Sequence, residues 1–194
     1  VIRTNYIKGD PITKGSRVDI SYFNRETTED IIENGFSQWS SGISWIVAKV
    51  MGQVESIFKR LSSEGIDIEY LNGRSLERVD KVLFYGKLTA IQNIILDLLR
   101  YNPKEIFLYH FDIMLTKERI NGYYPNINKE NEFHLKMIKC FPTHDPVTNF
   151  LIMQSFWKKG FIKGDLGFEE VMKLDARDYM NHMENKYHLS NFVV

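Results

Sequence analysis

An α/β fold, with a mainly parallel open sheet flanked by helices, is predicted by three features of this 194-residue sequence. Strand-like and helix-like segments alternate along the chain. A helical apolar stripe is followed at 105–115 by an almost unbroken apolar and aromatic run. The chain then resumes, after a long aperiodic stretch, with helix, short strand and helix.

The first strands are predicted at 17–23, "RVDISYF", and 66–71, "IDIEYL", both rich in β-branched and aromatic residues. Between them Ile43, Ile46, Val47, Val50, Met51, Val54, Ile57, Phe58 and Leu61 recur at helical spacing and predict a helix packed on the sheet. In 86–115, Leu88, Ile91, Ile94, Ile95, Leu98 and Leu99 form one stripe, and Asn102 with Pro103 stops the helix. The run 105–115 then reads as a central strand buried on both faces, the habit of parallel sheets covered by helices. Residues 116–141 lose all periodicity and are rich in Asn, Gly and Lys, as a lid or binding loop would be. A helix from Pro146 to about Lys159, a short strand "FIKGD" and a last helix from about Gly167 to Tyr187 complete the order. With no linker or internal repeat, residues 1–194 read as a single domain.

Composition narrows the function. The chain is 43% hydrophobic and 13% aromatic, which is globular, and its 25 Lys plus Arg balance 25 Asp plus Glu. No basic field points to nucleic acid, so any anion site is local. One cysteine, Cys140, excludes an internal disulfide framework and a cysteine zinc cluster, and reads as a small apolar residue. No apolar run approaches the roughly 18 residues of a membrane span, and the start "VIRTNYIKGD" lacks a signal-peptide plan, so a soluble, cytoplasmic protein is expected. The oligomeric state is open.

Walker, G-x-G-x-x-G, G-x-S-x-G, H-E-x-x-H and zinc-spacing signatures are all missing from the sequence. Of five histidines, His182 and His188 read as solvated, His110 as a core residue of the buried strand, and His134 as isolated in the loop. His144 differs, because it stands before Asp145, a good N-cap, and Pro146, a good first helical residue. There it is either a base of lowered pKa beside an anion-attracting helix N-terminus or only part of a capping turn. Arg3 and Asn5 form a second polar cluster with "KGSRVDI" that is either functional or solvated. Tyr123 and Tyr124 are either packing residues of an ordered loop or phenol donors to a phosphate. In open α/β sheets ligands lie beyond the carboxyl ends of strands, which would gather the loop after 105–115 and the turn before Pro146 at one crevice.

The pieces, in order, resemble the sialyltransferases. "VIRTN" with "KGSRVDISYFN" resembles the second half of that family's large motif, and "YGKLTAIQNIILDLLRYNPKEIFLYHFDIML" is similar to its small motif, a glycine-led helix and a strand. "GYYPN" resembles the short third motif, and "HDPVTNFLIMQSFWKKGFIKGD" the very small motif, in which a histidine begins a helix. Departures are visible too. Phe84, Tyr85 and Gly86 replace the small motif's Ser-Thr-Gly, Asn149 replaces an acidic residue five places after the histidine, and His110 stands where the family often has glycine. The sequence also enters after the family's nucleotide-holding glycine loop, so an N-terminally shortened domain is expected.

The resemblance implies a Rossmann-like, inverting, metal-independent glycosyltransferase of polysaccharide biosynthesis. Its donor would be a CMP-activated acidic sugar, sialic acid or a related ulosonic acid, its acceptor a glycan hydroxyl, and no further cofactor would be needed. Mapped onto this chain, His144 is the base, Tyr123 and Tyr124 face the leaving phosphate, and Arg3, Asn5 and Gly86 belong to the nucleotide site. The contrasting expectation is a non-catalytic α/β binding or structural module.

Overall fold

The computed structural model describes residues 1–4, 19–23, 45–48, 68–70, 88–115, 135 and 138–189. By packing, the chain divides into two compact units, Val1–Val79 and Asp80–Val194.

The first unit carries four short strands, β1 (Ile2–Thr4), β2 (Ile20–Phe23), β3 (Trp45–Ala48) and β4 (Ile68–Tyr70). They form one parallel sheet in the order β1-β2-β3-β4, with Ile2 opposite Ile20, Ile20 opposite Trp45 and Ile46 opposite Ile68. In β2 the consecutive residues Ser21 and Tyr22 point to opposite faces and both are buried, so this strand is covered on two sides. β3 corrects the sequence reading, which put Trp45–Ala48 inside a helix. Trp45, Ile46 and Val47 are aromatic and β-branched, and a short apolar run does not by periodicity separate a buried strand from a helix. The rest of that expected helix lies outside the described residues. The four strands also advance in one direction, so the reversal of strand order that opens a ligand crevice in doubly wound sheets is not among them.

The second unit begins with α1 (Ala90–Leu99). Its predicted stripe is in place: Leu88, Ile94 and Ile95 are buried, and Ile91, Leu98 and Leu99 pack against the core. Asn102 ends it in the left-handed region at φ 48°, just before Pro103. The strand that follows, β5 (Phe107–Leu108), pairs in parallel with β6 (Lys163–Gly164). Ile106 and Ile162 face the helices, whereas Phe107 is 54% exposed and Tyr109 71%. The expectation of a strand over 105–115 buried on both faces is thereby overturned. His110, Ile113 and Met114 all take positive φ, which an extended ladder does not accommodate, and aromatic continuity alone had suggested burial.

α2 (Pro146–Lys158) starts as the sequence requires, with Pro146 at its first position and the Asp145 carboxylate accepting from Thr148 N at 2.5 Å. It ends in a Schellman motif around Gly160, at φ 74°, with Phe161 N donating to Phe156 O and Gly160 N to Trp157 O. The single last helix expected from Gly167 to Tyr187 is two helices, α3 (Leu166–Lys173) and α4 (Ala176–Tyr187). Leu174 turns extended, and the Asp175 side chain accepts from Asp178 N at 2.8 Å, starting a new helix. Gln154 of α2 then donates to Met172 O and Leu174 O, satisfying carbonyls that α3 leaves open. The core of this unit is Ile95, Ile106, Ile113, Phe150, Met153, Ile162, Phe168, Met172, Tyr179, Met183 and Tyr187, with Phe150 and Tyr179 stacked at 4.3 Å and nearly parallel. Among the described residues no helix is long and apolar enough to cross a membrane.

Candidate functional site

Two helix N-termini meet in the second unit, and one buried amide joins them. Asn149, 1% exposed, accepts from Thr89 N at 3.0 Å through Oδ1 and donates to Asp145 O at 2.8 Å through Nδ2. Gln92 Nε2 reaches the Asn149 carbonyl at 3.3 Å, and the Thr89 hydroxyl bonds back to Gln92 Oε1. Thr89 caps α1 without using its own side chain on that helix's backbone. Asn149 of the neighbouring helix therefore satisfies the backbone N–H of the N-cap residue. Asn93 adds to the cluster by donating to Leu88 O and Thr89 O, and its own Oδ1 is buried without a partner.

His144 is half-buried immediately before the α2 N-cap, with its backbone N–H donating to Cys140 O at 2.7 Å. Thr143 N donates to the same carbonyl at 3.0 Å, so the residue stands in a tight turn that delivers it to the helix mouth. Cys140 is a free, half-buried thiol, as its apolar reading required. The capping turn and the position at a helix N-terminus are thus the same structure, and the two readings of His144 do not exclude each other. Asp145 has one carboxylate oxygen committed to Thr148 N.

The exit of β5 is held against this region by α4. Tyr179 Oη donates to Ile113 O at 2.9 Å while its ring stacks on Phe150 of α2. Tyr187 Oη donates to Met114 O at 3.1 Å, and Lys186 Nζ donates to the same oxygen. Burial pushes both phenols well above their usual range; Tyr187, Asp112 and Asp145 add to this for Tyr179, and Asp112 adds to it for Tyr187. They are neutral donors at physiological pH. Burial lowers the Lys186 ammonium, against the opposing pull of Asp112. Asp112 itself buries Oδ2 with no hydrogen-bond partner.

On the outer side of the turn, Asp165 accepts from His110 N at 2.7 Å and from Phe168 N at 3.0 Å. These two backbone donors hold its carboxyl below the ordinary range. His110 is exposed and at φ 52°, so the expectation that it is a core residue of a buried strand is corrected. The left-handed backbone there is a conformation that suits glycine. His182 and His188 are both exposed, as expected.

The residues singled out from sequence are reached unevenly. His144 stands at the α2 N-terminus, and Arg3 lies on β1 opposite Ser21. Asn5, Gly86, Tyr123 and Tyr124 lie outside the described residues, as does the expected lid 116–141 apart from 135 and 138–141. Sequence reasoning missed Asn149 and Gln92 as a tie, and Tyr179, Lys186 and Tyr187 as a clamp. For the tie, the signal was polar residues at buried positions of α1 and α2. Among the described residues no group of three or more His, Cys, Asp or Glu side chains could hold a metal ion. No family model, curated protein or solved structure matches the chain.

Proposed function

We propose that this chain is a Rossmann-like, inverting glycosyltransferase resembling the sialyltransferases, which moves an acidic sugar from CMP to a glycan hydroxyl. The observation that carries the reading is the Asn149 tie. It sets the helix start that follows Gly86 beside the helix start that follows His144. Two helix N-termini side by side bring the positive ends of two helix dipoles together, which favours the charge of a departing nucleotide phosphate.

In this proposal His144 takes the proton of the acceptor hydroxyl, and the freed oxygen forms a bond to the anomeric carbon from the face opposite CMP. The bond from that carbon to the phosphate oxygen breaks, and CMP leaves with the electron pair. Tyr123 and Tyr124 donate to the phosphate, and Gly86 lets the backbone approach it. Because hydrogen-bond donors stabilise the charge that develops, the step requires no metal.

A non-catalytic module is the second reading, and Asn149 favours it. Where the family has an acidic residue, this side chain is consumed by structural hydrogen bonds. A thermal-shift screen of CMP, UMP, AMP and GMP tests the proposal. Ligand at about 100 times its Kd stabilises by about 2.7 kcal/mol, enough for a clear shift. Selective stabilisation by CMP supports nucleotide-sugar chemistry. CMP binding without transfer from a CMP-sugar to any glycan acceptor supports a nucleotide-binding module, and no preference for CMP refutes the glycosyltransferase and leaves a glycan-binding or structural module.

A further inference from the structure

We propose that Tyr109 and His110 form a stacking platform for a pyranose ring of the acceptor glycan; the identity of this ligand rests on the glycosyltransferase reading above. Tyr109 is the first residue beyond β5 and, at 71%, the most exposed large aromatic among the described residues. His110 is also exposed and meets it edge to face, with ring centroids 4.3 Å apart and planes at 65°. Scattered exposed aromatics are ordinary on protein surfaces. Three further observations set this pair apart.

The first is strain. His110 holds φ 52°, a conformation that a non-glycine residue adopts at a cost and that tends to persist at ligand sites. The second is support: the His110 N–H is fixed by Asp165 Oδ2 at 2.7 Å, and Asp165 is itself fixed by its N–H on Leu108 O at 3.1 Å and by its cap on α3. The backbone beneath the pair is thus braced from β6 and α3, although both rings face water. The third is place. The pair leaves the carboxyl end of a parallel strand, where open α/β sheets bind ligands, and the same turn continues to Ile113, which Tyr179 joins to α2.

The geometry selects the ligand. The electron-rich face of a tyrosine attracts polarised C–H groups, and a galacto-configured pyranoside gathers the hydrogens of C3, C4 and C5 on one face. A nucleobase is best served by two parallel faces, whereas this corner offers one face and one edge. The imidazole carries ring nitrogens and the phenol a hydroxyl, which suit the hydroxyls around a sugar's rim.

The test is an NMR titration of the tyrosine ring signals with methyl β-galactopyranoside, repeated with CMP. The galactoside should shift the Tyr109 ring saturably, Tyr109→Ala should weaken its binding by on the order of tenfold, and Tyr109→Phe should keep most of it. CMP binding should be the same in all three proteins, and because Tyr109 is exposed their melting curves should coincide. Galactoside binding without CMP binding would sustain the platform and sink the glycosyltransferase reading. The platform is overturned if neither this galactoside nor its gluco counterpart binds, if Tyr109→Ala binds as well as the wild type, or if CMP and not the sugar shifts the Tyr109 ring.

Discussion

Replacing Asn149 probes the joint on which the candidate site stands. Asn149→Ala removes the acceptor of Thr89 N and the donor to Asp145 O, in a position that is 1% exposed. Asp145 O still accepts from the backbone N–H of residue 149 at 3.1 Å, so its loss is partial. The half-buried Thr89 N–H loses the partner it has here, and a donor left unpaired costs at most about 1–3 kcal/mol. With the second hydrogen bond, the expected destabilisation is about 2–3 kcal/mol, or roughly 5–10 °C in melting temperature. Urea denaturation should show a lower midpoint with an unchanged slope. Asn149→Asp separates hydrogen bonding from volume. Its protonated form can still donate to Asp145 O and accept from Thr89 N, while its charged form faces a carbonyl inside the protein. Burial raises such a carboxyl above its unfolded pKa, so the folded variant binds the extra proton and its stability relative to wild type falls as pH rises from about 4. A loss under 0.5 kcal/mol for Asn149→Ala, or an Asn149→Asp deficit that does not depend on pH, would refute the tie.

Gly164→Ala should destabilise by about 1–3 kcal/mol in a urea melt, because its methyl would lie 2.2 Å from Phe168 Cδ1 in a filled core; a neutral result would mean that Phe168 yields freely. Asp165 has its carboxyl pKa lowered by His110 N and Phe168 N, so its contribution is present above the unfolded value of about 3.8 and is lost as pH falls through the lower folded value. Asp165→Asn should therefore flatten the acid limb of the stability curve, measured by urea midpoints across that range. His144→Ala keeps the backbone N–H to Cys140 O and should lower single-turnover transfer per folded molecule by about 10² to 10⁴ if it is the base; normal turnover would leave it as a capping turn.

What the sequence disclosed was local. Asp145 and Pro146 announce the start of α2, Asn102 and Pro103 the end of α1, and the stripe through Ile94 and Ile95 its buried side, because caps and periodicity act within a few residues. Its failures came where long-range contacts decide. Trp45–Ala48 becomes a strand because β2 and β4 flank it, and 105–115 breaks after Leu108 because side chains from α4 and Asp165 capture the turn. The split at Leu174 was signalled by Asp175, but the amphipathic pattern ran across it. For the site, His144 was legible as a residue before a cap. The tie through Asn149 was not, since a buried asparagine on a helix reads from sequence only as a polar interruption.

The turn 110–114 connects these points and makes α4 part of the site. Ile113 and Met114 both hold positive φ, at 51° and 71°, and a β-branched residue in that region is strained by about 1–3 kcal/mol. Such a conformation persists only if its surroundings enforce it. Here Tyr179 fixes Ile113 O, while Tyr187 and Lys186 share Met114 O, all from one helix. Both phenols donate in their neutral form, which burial favours, so these two contacts of the clamp do not titrate across the physiological range. Tyr179 also stacks on Phe150, one residue beyond Asn149. The side chain that shapes the exit of β5 therefore bears directly on the helix that His144 precedes, and displacement of α4 would disturb both the Tyr109–His110 platform and the paired helix starts at once.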